Sequence, residues 1–276
     1  MKKFIAIIAM IVAAAGGWLV WTKYQPRLAS TPAPSSTAAL TRSPSPSSQP
    51  NITITSPIEN QSVDPVITVT GKARVFENQF TVQARDADGT IVASVHAMTD
   101  AKDSGQFGNY SVRLPISLGA TMNLKIEALA ESAKGDGSFE GYASVDVRLK
   151  STSTRTVYVA YVTSDDCTTT TLFPRDIYQT TSPGFMSVVE LLKGPTSAEK
   201  KKGAQDVIPD NVTVKSVTLK GQTVYADFDE NLDAGVAGSC RVGAIRSEIT
   251  NTLKQFPGFN SVVVSVNGRT EDILQP

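Results

Sequence analysis

Residues 51–150 alternate apolar and polar residues over short segments and show no helical periodicity, and this pattern restricts the fold more than any other feature of the chain. The alternation is clearest in two sets of apolar residues: Tyr110, Val112, Leu114, Ile116 and Leu118, and Met122, Leu124, Ile126 and Ala128. Successive side chains of a strand point to opposite faces, so each set lies on one face of its strand. We expect the two faces to meet in one core.

Candidate strands recur throughout this region and are separated by turn-forming residues. They are Ile52–Thr55, Val66–Ala73, Phe80–Arg85, Thr90–Met98, Tyr110–Leu118, Met122–Ala130 and Tyr142–Leu149. The segment Asp86-Ala-Asp-Gly89 predicts a hairpin turn between the third and fourth strands. This density of strands, over about a hundred residues, is typical of an all-β sandwich of the immunoglobulin-like type.

A second domain is predicted at residues 155–276, where strand and helix periods are mixed. It begins with a strand at Val157–Val162. Ser182 and Pro183 then predict a capped helix start, and Gly194-Pro195 predicts the end of that helix. The apolar residues between them recur at helical spacing: Phe185, Val188, Val189 and Leu192.

The next segment is predicted to begin with a capping box at the start of a short helix. In it, the side chain of Thr196 accepts from the main-chain amide of Glu199, and the side chain of Glu199 accepts from the main-chain amide of Thr196. Val212–Leu219 and Gln222–Phe228 predict a hairpin that turns at Lys220-Gly221.

A second long helix is predicted to start near Ser239 and to end at Pro257-Gly258. Its apolar stripe consists of Val242, Ile245, Ile249, Leu253 and Phe256. Asn260–Val266 predicts a strand, and Asn267-Gly268 a hairpin turn into a short terminal strand. The order strand, helix, strand, strand, helix, strand predicts an α+β sandwich with the helices on one face of a sheet.

The N-terminal 25 residues contain an uncharged apolar run from Phe4 to Trp21, which as a helix is roughly 27 Å long and close to the thickness of a bilayer core. Residues 1–25 therefore predict a single membrane anchor through residues 4–21. A cleaved signal peptide is the alternative, with Ala13-Ala-Ala15 as the cleavage motif. Trp18 and Trp21 favour the uncleaved anchor because aromatic residues concentrate at membrane interfaces.

Residues 26–50 consist almost entirely of Pro, Ser, Thr and Ala, which cannot form a core and predict a linker. In an extended polyproline conformation it would reach roughly 75 Å. We therefore expect both domains to lie clear of the membrane, on its extracytoplasmic side.

The charge balance argues against a nucleic-acid-binding role, since Lys plus Arg and Asp plus Glu each number 26. Only two cysteines occur, Cys167 and Cys240, and a single pair in an exported protein favours a disulfide over a metal site. His96 is the sole histidine, and its alternation with Val95 and Ala97 predicts the outer sheet face. We therefore expect neither a metal nor another cofactor.

Four motifs near the end of the chain resemble the GerMN domain of bacterial sporulation and spore-germination proteins. They are Leu191-Leu-Lys-Gly-Pro-Thr-Ser-Ala-Glu-Lys200, Ile208-Pro-Asp210, Val224-Tyr-Ala-Asp-Phe228 and Gln255-Phe-Pro-Gly258. The resemblance covers residues 155–274. The segment before it resembles the immunoglobulin-like domain that accompanies GerMN domains, through Ile54–Pro57, Pro65–Ala73 and Phe107-Gly-Asn-Tyr110. This resemblance implies a membrane-tethered envelope protein without catalytic residues, acting through protein–protein interaction.

One candidate ligand site is the loop from Asp233 to Cys240, which follows a strand and opens a helix. Its main-chain amides could hold a carboxylate or phosphate, whereas a plain flexible loop is the alternative. The candidate residues are Gly235, Gly238, Ser239, Arg241 and Arg246. A disulfide would bring Asp165 and Asp166 beside this loop, which counts against an anion.

Two further motifs are weaker. Ser197-Ala-Glu-Lys200 matches the Ser-x-x-Lys of penicillin-binding enzymes but lies at a helix start without the companion motifs. Asp86, Asp88, Asp100 and Asp103 lack the spacing of a calcium loop. The sequence thus predicts a non-catalytic envelope protein that binds partner proteins, with a peptidoglycan-binding module as the alternative.

Overall fold

The computed structural model describes residues 49–275. The predicted anchor, and all of the predicted linker except residues 49 and 50, lie outside this range. None of the helices within the range is long and apolar enough to span a membrane.

The N-terminal β-sandwich consists of eight strands. They are β1 (Ile52–Ser56), β2 (Gln61–Val63), β3 (Val66–Ala73), β4 (Gln79–Asp86), β5 (Ile91–Met98), β6 (Gly108–Pro115), β7 (Asn123–Glu131) and β8 (Phe139–Leu149). One sheet has the order β1-β3-β6 and the other β2-β8-β7-β4-β5. Each predicted strand is present. The sequence missed only β2, a short segment paired in parallel with β8, which is too short to show a period.

The two sheets share one core, as the alternation predicted. Tyr110 and Leu114 of one sheet pack in the same cluster as Leu124 and Ile126 of the other. Leu118 departs from the pattern and is 44% exposed, because β6 ends at Pro115 and the chain leaves the sheet there.

The hairpin turn between β4 and β5 forms as predicted, with Gly89 N donating to Asp86 O at 3.0 Å. The Asp86 carboxylate also accepts from the main-chain amides of Asp88 and Thr90. Gly89 has φ +81°, which a side chain would strain.

The C-terminal α+β domain contains five strands and three helices. They are β9 (Thr154–Val162), β10 (Thr170–Tyr178), α1 (Pro183–Leu191), α2 (Ser197–Lys200), β11 (Val214–Lys220), β12 (Thr223–Phe228), α3 (Ser239–Leu253) and β13 (Ser261–Val266). The strands form two separate sheets, β10-β9 and β11-β12-β13.

The predicted single sheet with both helices on one face is wrong, because α3 occupies the position beside β9 where another strand would pair. Val162 N donates to Glu248 Oε1 at 2.9 Å and Ala160 N to Thr252 Oγ1 at 2.9 Å, and Gln255 binds Tyr158 in the same way. These polar side chains, one helical turn apart, satisfy the edge of β9 and separate the two sheets.

Strand β10 was missed because Pro174 interrupts its apolar pattern. Pro174 lies opposite Tyr158, whose amide points to α3, so an N–H at position 174 would point away from β9. Proline is tolerated at such a position of an edge strand.

The helix boundaries follow the predictions with two differences. The capping box before α2 is confirmed: Glu199 N donates to Thr196 Oγ1 at 3.3 Å, and Thr196 N to Glu199 Oε2 at 2.8 Å. Ser182 precedes α1 as expected, but its side chain caps no amide and accepts from Arg113 instead. Helix α3 ends at Leu253, before the predicted Pro257-Gly258, because a residue preceding proline disfavours helical geometry.

The predicted turn at Asn267-Gly268 forms, with φ values of 50° and 78°. The terminal strand predicted after it is wrong. A single bridge joins Arg269 to Val266 before the chain leaves the sheet.

Candidate functional site

The loop predicted as an anion site is tied to the rest of the domain by a disulfide. Cys167 and Cys240 are bonded, with their Cα atoms 5.3 Å apart. Cys240 lies in the first turn of α3, and Cys167 follows β9. The Asp166 carboxylate, nearby in sequence, accepts from Thr168 and Thr169, and the Thr169 hydroxyl is the main reason its pKa is lowered.

The two candidate arginines use their guanidinium groups to bind main-chain carbonyls. Arg241 Nε donates to Val207 O at 3.0 Å, and one Arg246 terminal nitrogen donates to Ile273 O at 3.0 Å. Gly235 and Gly238 have positive φ, and Ser239 is the first residue of α3. Within residues 49–275 no hydrogen bond joins the arginines to Gly235, Gly238 or Ser239, so an anion site in the loop stays a prediction.

The contact between the two domains is buried and specific. Tyr178, at the end of β10, packs in the core of the β-sandwich, whereas Val66 of β3 packs in the core of the C-terminal domain. The Tyr178 hydroxyl donates to Ala120 O and accepts from Gly119 N, both at 3.0 Å. Each domain thus contributes a residue to the core of the other.

Charged groups extend this contact. The Asp64 carboxylate, between β2 and β3, accepts from Thr180 Oγ1 and from Thr181 N. Arg113 of β6 donates to Ser182 Oγ at 2.7 Å and lies over the Phe185 ring at 4.4 Å. Ser182 therefore links the start of α1 to the other domain instead of capping its own helix.

A cavity of about 430 Å³ lies beside this contact and is called the interdomain cleft below. It is lined by Val95, His96 and Met98 of β5, residues 111–113 of β6, and residues 213–215 and 229–231 of the C-terminal domain. A second cavity of about 230 Å³ shares Val95, Arg113 and Val214 with it and reaches Phe185 and Leu192 of the α1 segment. The 430 Å³ of the interdomain cleft falls in the range of ligand sites, which occur preferentially between domains.

Three edge strands meet at the cleft. Strands β5, β6 and β11 are each the last strand of a different sheet. Two hydrogen bonds join the β5 and β6 segments: Ser117 N donates to Val92 O at 3.1 Å, and Asp100 N to Asn109 O at 2.9 Å. These two bonds share one antiparallel register, yet no ladder joins β5 to β6 between them.

The cleft contains two buried polar atoms that make no hydrogen bond within residues 49–275. They are Arg113 Nε, a donor, and Asp229 Oδ1, an acceptor. Burial lowers the pKa of Arg113, opposed by the nearby Asp64 carboxylate. Glu230 also lines the cleft, and a hydrogen bond from Asn267 lowers its pKa.

The described residues contain no cluster of three or more potential metal ligands. His96 is exposed, as its alternation predicted, and its Nε2 lies 3.0 Å from Gln79 Oε1. The sequence did not indicate that His96 lines a cleft, because the opposite wall comes from residues more than a hundred positions away.

Comparison with known families accounts for both domains. Residues 51–138 match the family described as the immunoglobulin-like domain of bacterial spore germination, and residues 156–272 match the family described as sporulation and spore germination. No curated protein matches the chain significantly.

Solved structures resemble parts of the chain. The tandem GerMN domains of the sporulation protein GerM from Bacillus subtilis are 23% identical over 45% of this chain and 43% of theirs, with a TM-score of 0.37. The first of those domains alone is 24% identical over 41% of this chain and 85% of its own, with a TM-score of 0.33. A putative lipoprotein from Clostridium perfringens is 15% identical over 44% of this chain and 79% of its own, with a TM-score of 0.30.

At these TM-scores the solved structures say nothing about function, and the match spans less than half of the tandem GerM chain. The two family models instead cover nearly the whole of both domains. The chain therefore has an immunoglobulin-like domain of the spore-germination type, followed by a GerMN-type domain of the sporulation and spore-germination family.

Proposed function

We propose that this chain is a non-catalytic, membrane-anchored protein of the bacterial envelope that acts by binding a partner protein or joining a larger assembly. The observation that carries the proposal is the exchange of core residues between the two domains, through Tyr178 and Val66. Linked domains move relative to each other unless their interface is extensive and apolar. A shared core therefore favours one fixed surface, which suits a component of an assembly.

Several sequence features support the location. The uncharged run from Phe4 to Trp21 is long enough to act as an anchor, and a linker follows it. The disulfide between Cys167 and Cys240 is of the kind that persists outside the cytoplasm. Neither matched family is described by an enzymatic activity.

The experiment is co-purification of the full chain from native membranes after mild cross-linking. A discrete partner protein, recovered in a constant ratio, supports the proposal. Retention of the purified chain on peptidoglycan, with no protein partner, would overturn it in favour of a wall-binding module.

A matched pair of variants locates any retention on peptidoglycan. If the loop at the start of α3 binds the wall, Arg241→Ala should abolish retention. The control is Arg269→Ala, which removes an exposed arginine outside that loop and should leave retention unchanged.

A further inference from the structure

We propose that the interdomain cleft binds a small zwitterion of the amino-acid or dipeptide class, whose carboxylate pairs with Arg113 and whose ammonium group pairs with Asp229. This ligand site goes beyond the proposed function, which concerns a protein partner, and its test does not depend on that partner.

Two buried polar atoms give the first argument. Within residues 49–275, three buried side-chain atoms make no hydrogen bond, and two of them, Arg113 Nε and Asp229 Oδ1, belong to residues that line the cleft. The first is a donor on a cation and the second is an acceptor on an anion. A buried polar group without a partner is costly, so a molecule that bonds to both atoms gains affinity.

The other contacts of these two side chains leave the same two positions open. Arg113 donates to Ser182 Oγ at 2.7 Å, and its guanidinium group lies over the Phe185 ring at 4.4 Å. Asp229 caps no amide of the turn that follows it, and its Oδ2 accepts from Asn231 at 3.1 Å. Both free atoms are buried in the wall of the cleft, so binding includes a small side-chain rotation of the kind common at interfaces.

The charges of the lining favour a ligand that carries both signs. The cleft is lined by two cations, Arg113 and Lys215, and by two anions, Asp229 and Glu230. Lys215 and Glu230 are each already bonded to Asn267, which leaves Arg113 and Asp229 as the pair available to a ligand. A ligand with only a carboxylate would leave Asp229 unpaired, and one with only an ammonium group would leave Arg113 Nε unpaired.

The size and lining of the cleft suit a small molecule. Its volume of about 430 Å³ falls in the range of ligand sites. Val95, Met98 and Val214 also line it and provide apolar surface for a ligand side chain. A cavity with apolar walls and a few polar groups is the usual form of a small-molecule site.

The experiment titrates the full chain in detergent with the common amino acids, in both chiral forms, and with their dipeptides with glycine, by isothermal calorimetry. Each ligand that binds is compared with its N-acetylated form, which lacks the ammonium group, and with its methyl ester, which lacks the carboxylate. The test variant is Asp229→Asn, which removes the charge without changing the size of the side chain. The control is Asp88→Asn, which makes the same change in the exposed turn between β4 and β5, outside the cleft.

We expect wild type and Asp88→Asn to bind the free ligand equally, and Asp229→Asn to bind it about tenfold or more weakly, because hydrogen bonds between charged groups are the strong ones. N-acetylation should weaken binding to wild type by a similar factor and leave binding to Asp229→Asn nearly unchanged. This comparison uses two ligands on each folded protein, so a change in stability does not affect it. Arg113→Gln, compared with the methyl ester, tests the carboxylate end in the same way.

Absence of binding by every amino acid and dipeptide would overturn the zwitterion site and leave ordered water as the partner of the two buried atoms. Equal binding of the free ligand to wild type and Asp229→Asn would also overturn it, as would equal weakening of both by N-acetylation. None of these results affects recovery of a protein partner from membranes, so failure of this inference is distinguishable from failure of the proposed function.

Discussion

The hydroxyl of Tyr178, in the C-terminal domain, donates to the carbonyl of Ala120 in the β-sandwich at 3.0 Å. Tyr178 is 4% exposed and packs in the core of the β-sandwich, although its strand belongs to the other domain. Because this side chain is part of the sandwich core, the stability of the β-sandwich depends on the C-terminal domain.

Tyr178→Phe should therefore destabilise the chain by about 1–3 kcal/mol, since Ala120 O loses its partner in a buried site and Gly119 N loses its partner in a partly buried one. Urea unfolding followed by fluorescence measures the change. The control is Tyr158→Phe, because Tyr158 is 44% exposed and its hydroxyl makes no hydrogen bond within residues 49–275. Equal effects of both substitutions would show that the interdomain hydrogen bonds contribute little.

Because of the buried Glu248 carboxyl, we expect the free energy of unfolding to fall as pH rises. Burial raises its pKa to about 8, Asp206 adds to the rise, and the hydrogen bond from Val162 N opposes it. The unfolded chain ionises near 4.5 while the folded chain stays protonated, so the contribution is complete below about 4.5 and is lost as pH rises through about 8. At about 1.4 kcal/mol for each pH unit, the loss is at most about 5 kcal/mol.

Glu248→Gln should flatten this dependence, because the amide can still accept from Val162 N without ionising. Unfolding free energies in urea at pH 5 and pH 9 give the comparison. A variant that loses as much stability as wild type between these values would exclude Glu248 as the source.

The ion pair of Arg175 in β10 and Glu199 in α2 should make the stability effects of substitutions at these two residues depend on each other. Arg175 donates to both Glu199 oxygens, and this bond is the main reason that the pKa of Glu199 is lowered to about 2. The two side chains are 14% and 9% exposed. Arg175→Met should cost about 3–5 kcal/mol by leaving a buried carboxylate unpaired.

The double variant Arg175→Met with Glu199→Met should be more stable than Arg175→Met alone, because it removes the unpaired charge. Urea unfolding of the two single variants and the double variant measures the coupling. Simple additivity would contradict the pairing. Because the pKa of Glu199 is lowered, its contribution is present above about 4.5 and is lost as pH falls through about 2.

Removal of the disulfide should destabilise the chain by about 4 kcal/mol in the chain-entropy model, because the bond closes a loop with a sequence separation of 73. The variant Cys167→Ser with Cys240→Ser, compared with wild type under oxidising and reducing conditions, measures the effect. Reductant should destabilise wild type to the level of the variant and leave the variant unchanged. Two free thiols in the exported protein would contradict the bond.

The sequence predicted well those helices, strands and turns whose formation depends on residues close together in the chain. The strands of the β-sandwich, the Asp86–Gly89 turn, the Thr196–Glu199 capping box and the start of α3 all follow from period, caps and turns. The sequence did not predict strand β10, because proline at position 174 is tolerated only on the free edge of a sheet. A single sequence does not indicate which edge is free.

The candidate site was far less predictable. Cysteine counting suggested the Cys167–Cys240 bond, but nothing local indicated that Arg241 and Arg246 would bind main-chain carbonyls. The cleft requires Met98 and Val214, which approach only when the domains pack together. Long-range pairing of this kind leaves no periodic signal in a chain.

The sequence by itself thus determined the order of domains, the class of each and most of their elements, because side-chain period and turn chemistry act over a few residues. Only the tertiary structure decided that α3 would cover the edge of β9, that Tyr178 would enter the neighbouring core and that β5, β6 and β11 would border one cleft. These three features depend on which distant surfaces pack against each other and exclude water. That packing forms only when the whole chain folds.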